Sequence, residues 1–141
     1  MIELDLGHLE AASRRRGQAR RVKMTALIIW SDEWDENQAE GRRRRLPSGE
    51  QLGATLYELS RGGGIAYHFH QSREELLVVL RGTLTLRTPA GEHEIDEGEV
   101  VHFPAGAAGA HGITKQDDEP VRYIMVSTLD PDDTSEYPSS P

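Results

Sequence analysis

Residues 75–96 read ELLVVLRGTLTLRTPAGEHEID. Three short runs rich in Val, Leu and Thr are separated by Gly82 and by Pro89-Ala90-Gly91, a hairpin connector. None of them sustains a period of 3.6, so helix is a poor reading. The same texture extends in both directions, through "ATLYELS" and "IAYHFH" before this stretch and "EVVHFP" and "VRYIMVSTL" after it. Many short, evenly spaced strands predict an all-β sandwich or barrel over roughly residues 53–129. "ELLVVLR" is apolar on both faces. One face can fill the interior, and the other needs a helix, the N-terminal segment or a second subunit, so a homodimer is expected.

Outside that region the composition changes. Residues 1–23 are polar and only weakly patterned (Leu4, Leu9, Ala12), which predicts an N-terminal extension or arm. "MTALIIW" from Met24 opens the domain, read as 24–129, and is a candidate partner strand for exchange across a dimer, with Met24 a candidate initiation site. Residues 31–51 read as loop. The tail 130–141, "DPDDTSEYPSSP", is acidic and rich in Pro and Ser, which places it across the surface or leaves it loose.

With 141 residues, 36% hydrophobic and 28% charged, the chain suits one soluble domain. It has no cysteine, which excludes disulfides and thiolate chemistry. No apolar run reaches the roughly 20 residues of a membrane span, and Glu3 and Asp5 interrupt any secretory signal, so the cytoplasm is the default expectation. The net charge of −8 divides into +2 over residues 1–45 and −10 over the remainder. Arginine clusters at 14–23 and 42–45 lack the aromatic or glycine-rich setting of a nucleic-acid site. They read as solvated arginine or as partners of the protein's own acidic surface.

Candidate chemistry centres on His68, His70 and Glu75. Residues two apart on a strand share a face, so His68 and His70 point the same way. Glu75 lies an odd five residues beyond His70, which one continuous strand would send to the opposite face. If "QSRE" is a turn and Glu75 opens a partner strand, it joins the histidines, with Leu77 and Val79 inward behind it. From these residues alone, a metal site and an exposed polar strand edge both remain open.

Glycine punctuation adds a second argument. Gly62, five residues, His68-Phe69-His70, four residues, Glu75, six residues and Gly82 form one series. Gly98, five residues, Pro104-Ala105-Gly106 and, after "AAGA", His111 form another. These series resemble the two motifs of the cupin superfamily, and those of small single-domain bacterial cupins in particular. The first matches at every marked position. The second departs in having four residues rather than two before His111, and Lys115 where the family has Asn.

The resemblance implies an antiparallel jelly-roll β-barrel (a double-stranded β-helix), usually homodimeric. It also implies one divalent transition metal held by His68, His70, Glu75 and His111. Glu74 is the alternative carboxylate, but only Glu75 keeps the spacing to Gly82. Three imidazoles and a carboxylate form a nitrogen/oxygen site open to Fe, Mn, Ni, Co or Zn, with positions left for water or substrate.

The expected function is metal-dependent catalysis on a small organic substrate, of dioxygenase, isomerase or decarboxylase type. Tyr57, Tyr67 and His102 are the nearest polar groups for proton handling. The alternatives are a small-ligand-binding or sensing module and a structural or vestigial metal. Nucleic acid and membrane are not expected partners. His102 either lines the cavity or faces the partner sheet, His93 reads as exposed, and His8 lies in the arm. Gly62-Gly63-Gly64 lacks the Lys-Ser/Thr and helix of a phosphate loop. Trp30 and Trp34 read as cap or interface aromatics.

Overall fold

The computed structural model describes residues 2–4 and 24–138. Met1, residues 5–23 (with His8 and the basic cluster at 14–23) and residues 139–141 lie outside the described residues, and with them most of the expected arm. The chain forms two compact units, Met1–Asp32 and Glu33–Pro141. In the first, β1 (Ile2–Leu4) pairs antiparallel with β2 (Met24–Ala26), Ile2 opposite Ala26. "MTALIIW" thus finds its partner strand within its own chain.

The second unit holds β3 (Glu36–Asn37), β4 (Gly41–Arg45), β5 (Leu52–Leu59), β6 (Gly64–His70), β7 (Glu75–Arg81) and β8 (Leu84–Thr88). After these come β9 (Gly91–Ile95), β10 (Val100–Phe103), a 3-10 turn (Ala107–Gly109), β11 (His111–Thr114), β12 (Val121–Thr128) and β13 (Ser135–Glu136). Among the described residues they make two antiparallel sheets. One runs β10-β7-β12-β5-β4-β3 and the other β13-β6-β11-β8-β9.

Strand alternation decides what fills the space between the sheets. Leu77 and Val79 of β7, Tyr123 of β12 and Leu59 of β5 meet Leu84, Leu86 and Ile113 from the other sheet. Each such side chain fully buried contributes about 1.5–3 kcal/mol. Leu76 and Val100, on the opposite face of their strands, stay exposed. Gly82 takes a positive φ of 81°, and a Cβ there would stand 2.5 Å from the Pro120 carbonyl oxygen. Only glycine permits that turn between β7 and β8.

The expected closed barrel is not what forms. No ladder joins the two sheets, and neither is strongly curled. The edge strands account for this. β9 is exposed along Glu92, His93 and Glu94, while β3 and β13 are two residues each and carry Glu36 and Glu136. Charged, short edges stay in water and do not pair with one another. The architecture is therefore an open two-sheet sandwich. Among the described residues no helix is long and apolar enough to cross a membrane.

Lys115 is buried. Its Nζ donates to the Thr83 carbonyl at 2.6 Å and pairs with Asp117 at 2.6 Å. Its backbone exchanges hydrogen bonds with Gly62 and Gly63. It ties the glycine turn before β6 to the β7–β8 turn.

Candidate metal centre

Residues 71–74 carry the chain from one sheet to the other. β6 pairs with β11 and β13, whereas β7 pairs with β10 and β12. Glu75 therefore does not open a strand beside His70, as parity suggested; it faces His70 across the sandwich. The ligand-type atoms of His68, His70 and Glu75 all lie within 4.8 Å of one another. His111 sits opposite His68 in the β6–β11 ladder, with ring centroids 4.9 Å apart.

A bulge in β6 lies directly beside this cluster. His111 pairs with His68 and Ile113 with Ile65, so three residue steps on β6 match two on β11. Ile65 and His68 consequently share the inner face, and Tyr67 turns outward. The Arg87 guanidinium lies 5.3 Å from the Tyr67 ring centroid. Tyr67 is thus removed from the candidates for proton handling within the cavity.

The hydrogen bonds define the tautomers. His68 Nδ1 lies 2.7 Å from the Ala66 carbonyl oxygen and His111 Nδ1 2.8 Å from that of Gly109. A carbonyl only accepts, so each Nδ1 carries the proton and each Nε2 presents a lone pair. His70 Nδ1 lies 2.8 Å from Asp133 Oδ2, which imposes the same assignment. Burial tends to raise the Asp133 pKa, but hydrogen bonds from Ser72 and His70 outweigh it and hold the carboxyl below its usual range. Burial likewise keeps His68 below the ordinary histidine value, and so neutral at pH 7.

Four acceptors now face one another. Glu75 Oε1 lies 3.3 Å from both His70 Nε2 and His111 Nε2, and neither Glu75 Oε1 nor His111 Nε2 has a hydrogen-bond partner. Burial pulls the Glu75 pKa up, and only positive charge among the rings, felt chiefly through His111, outweighs it and holds the carboxyl lowered. A buried carboxylate surrounded by imidazole lone pairs needs a positive charge among them. A divalent cation suits this donor set of three nitrogens and one oxygen.

His111 is held especially firmly. It is 2% exposed, and the Phe103 ring stacks on it at 3.8 Å between centroids. The two extra residues before His111 fold into the 3-10 turn, which presents the Gly109 carbonyl to Nδ1. A Cβ at Gly109 would collide with the Pro104 backbone, so this turn requires glycine.

Glu74 and His102 lie elsewhere. They pair with each other at 2.8 Å, both more than half exposed, on the outer side of β7 and β10. His93 is exposed on β9. Asp133 was not singled out in the sequence. It comes from the acidic tail, where β13 adds to the edge of β6 with Ser135 opposite His70. Tyr137, from the same segment, places its ring 5.6 Å from that of His68.

The cluster forms part of the wall of a cavity of about 650 Å³. Tyr57 and Tyr123 also line it, with rings stacked at 5.0 Å, as do Met125, Ile65, Arg45 and Arg73. Burial raises both phenols above their ordinary pKa, Tyr123 strongly, so both remain protonated at neutral pH. The Tyr123 hydroxyl has no hydrogen-bond partner.

Fold and cluster together define a two-sheet β protein with a largely buried group of nitrogen and oxygen donors in the wall of a cavity. The family model described as a cupin domain matches residues 55–127. The chain belongs to the cupin family. It is similar to a sugar phosphate isomerase of the cupin superfamily from Silicibacter pomeroyi at 29% identity and a TM-score of 0.67, covering 70% of this chain and 66% of that one. It is also similar to a putative sugar phosphate isomerase from Acidithiobacillus ferrooxidans at 28% identity and a TM-score of 0.62, covering 69% and 65%. The chain thus spans slightly less than two thirds of the length of these two proteins. The polyketide cyclase RemF from Streptomyces resistomycificus shares the fold at 22% identity and a TM-score of 0.68, covering 82% of this chain and 87% of that one. No curated protein matches the sequence.

Proposed function

We propose that this chain is a metal-dependent isomerase of a small phosphorylated sugar, with His68, His70, Glu75 and His111 holding one divalent transition metal. The observation that carries the metal reading is the convergence of four acceptors with no donor among them. Similarity to two proteins described as sugar phosphate isomerases supports the isomerase type over the dioxygenase and decarboxylase types.

A bound divalent cation supplies Lewis acidity toward a substrate carbonyl or hydroxyl. The chain's own residues do the rest. Asp133, Ala66 and Gly109 fix the three imidazoles with Nε2 forward. Ile65 and Met125 form apolar wall that limits water around the bound substrate. The Tyr57 and Tyr123 phenols, protonated at neutral pH, donate hydrogen bonds to substrate oxygens. Of the three candidates for proton handling only Tyr57 faces the cavity, and with its pKa raised it serves as a donor to a substrate oxygen and not as the base that takes a proton from carbon.

Elemental analysis of unchelated protein, followed by turnover assays on a panel of sugar phosphates, tests this reading. About one metal per chain and interconversion of an aldose and a ketose phosphate are expected. Metal at full occupancy with ligand binding but no turnover would assign a binding or sensing module instead.

A further inference from the structure

The four arginines of β4 do not share one fate. Arg43 stands opposite Tyr57 and Arg45 opposite Thr55 in the β4–β5 ladder, so both belong to the cavity side of the sheet, whereas Arg42 and Arg44 belong to the outer side. Arg42 pairs with Glu58 at 3.7 Å, Arg43 with Glu36 at 2.6 Å and Arg44 with Glu33 at 2.9 Å. Arg45 differs. It lines the cavity, and among the described residues no carboxylate pairs with its guanidinium. Asp35 and Glu36 stand nearby, but Asp35 accepts from the Arg45 backbone N–H at 2.7 Å and Glu36 is engaged by Arg43.

Arg45 and Glu75 lie on the same cavity face at well-separated places. β4 and β7 have β5 and β12 between them, which puts the two strands about 14 Å apart at the usual spacing. Both residues line the same cavity, so an extended small molecule lying across these strands can meet both. The charge balance points the same way. With a divalent ion in place, Arg45 and Arg73 offset Glu75 and Asp133, and the ion's own charge leaves the cavity cationic although the chain as a whole carries −8.

We propose that Arg45 is the anion-holding residue of this cavity, gripping the terminal phosphate or carboxylate of a short polyhydroxylated ligand whose other end meets the four-acceptor cluster. The guanidinium fork matches either oxyanion group with two parallel hydrogen bonds. The assignment rests on the metal-site reading for the position of the ligand's other end, but not for the anion contact itself.

The test is calorimetric titration of the full-length, metal-loaded protein with ribose 5-phosphate, ribonate, ribose and inorganic phosphate. The wild type is expected to prefer a charged probe to ribose by about tenfold or more, and Arg45→Ala to remove about ten- to hundredfold of that affinity while leaving ribose unchanged. Arg45→Lys should fall between, because it keeps the charge and loses the fork. The probe that loses more on substitution identifies the anion. Metal content is measured on every sample, and Arg45→Gln serves if the alanine variant misfolds. Arg45-dependent phosphate binding that persists after chelation keeps the anion site even if the metal reading fails. A wild type without preference for charged probes, or an alanine variant weakened equally toward ribose, overturns the proposal.

Discussion

Two adjacent glutamates each meet histidine, on opposite faces of one sheet, and the contacts differ in kind. Glu74 and His102 lie 2.8 Å apart, both more than half exposed to water. Glu75 stands 3.3 Å from two imidazoles whose protons are already committed to Gly109 and Asp133 on their far sides. The shorter contact is an ordinary exposed pair worth about 0–1 kcal/mol. The longer one is a deficit of positive charge in a buried place. Proximity of carboxylate to imidazole therefore does not mark a site; the occupation of the other ring nitrogen does.

Glu75→Gln gives the largest expected contrast. It should lower metal affinity by more than the about 10- to 100-fold typical of losing an outer partner. In the metal-free protein the neutral amide gives up the attraction that holds the Glu75 carboxyl below its usual pKa, so the same variant should gain no stability. Metal analysis and thermal denaturation with and without chelator read the two effects. Glu75→Gln protein that keeps its metal would remove Glu75 from the ligand set.

Asp133→Asn comes next. The amide can present NH₂ to His70 Nδ1 and so favour the wrong tautomer, and metal affinity should fall about 10- to 100-fold with the fold intact. Competition titration against a chromophoric chelator measures it, and an unchanged affinity would deny Asp133 its positioning role.

Acid provides a smaller effect of fixed sign. The folded His68 pKa lies below its ordinary 6.5 and that of Glu75 below 4.5. In both cases the unfolded chain binds the proton more readily, so stability falls as pH drops below about 6.5 and falls again through the carboxylate range. A melting temperature that rises between pH 7 and pH 5 would contradict these shifts.

Glu74→Gln should be the quietest change, within about 0.5 kcal/mol in stability and without effect on metal content. A loss of metal there would erase the distinction between the two faces.

Much of the inner face was legible in advance. His68-x-His70 parity and the inward Leu77 and Val79 follow from strand geometry, which acts over a few residues, whereas the choice of Glu75 over Glu74 came from the motif spacing to Gly82 that the family resemblance implies. Tyr67 was offered as a cavity group on nearness in sequence alone; one residue from His68, it turns outward by the same parity, whereas the bulge that brings Ile65 to the inner face carries no local signal. Barrel closure was misread for a related reason. Alternation tells which side chains point inward, whereas closure depends on whether charged edges such as β9 can meet. Asp133 was invisible because its partner lies 63 residues earlier and its neighbours are also acidic.

That long separation bears on how the protein is made. All four metal-ligand candidates are synthesised by residue 111, yet His70 gains its orienting carboxylate only when residue 133 arrives and β13 docks on β6. A nascent chain or fragment ending before Asp133 carries the full ligand set with one imidazole free to present either nitrogen. On the proposed metal reading, tight capture waits for Asp133 and the docking of β13 on β6.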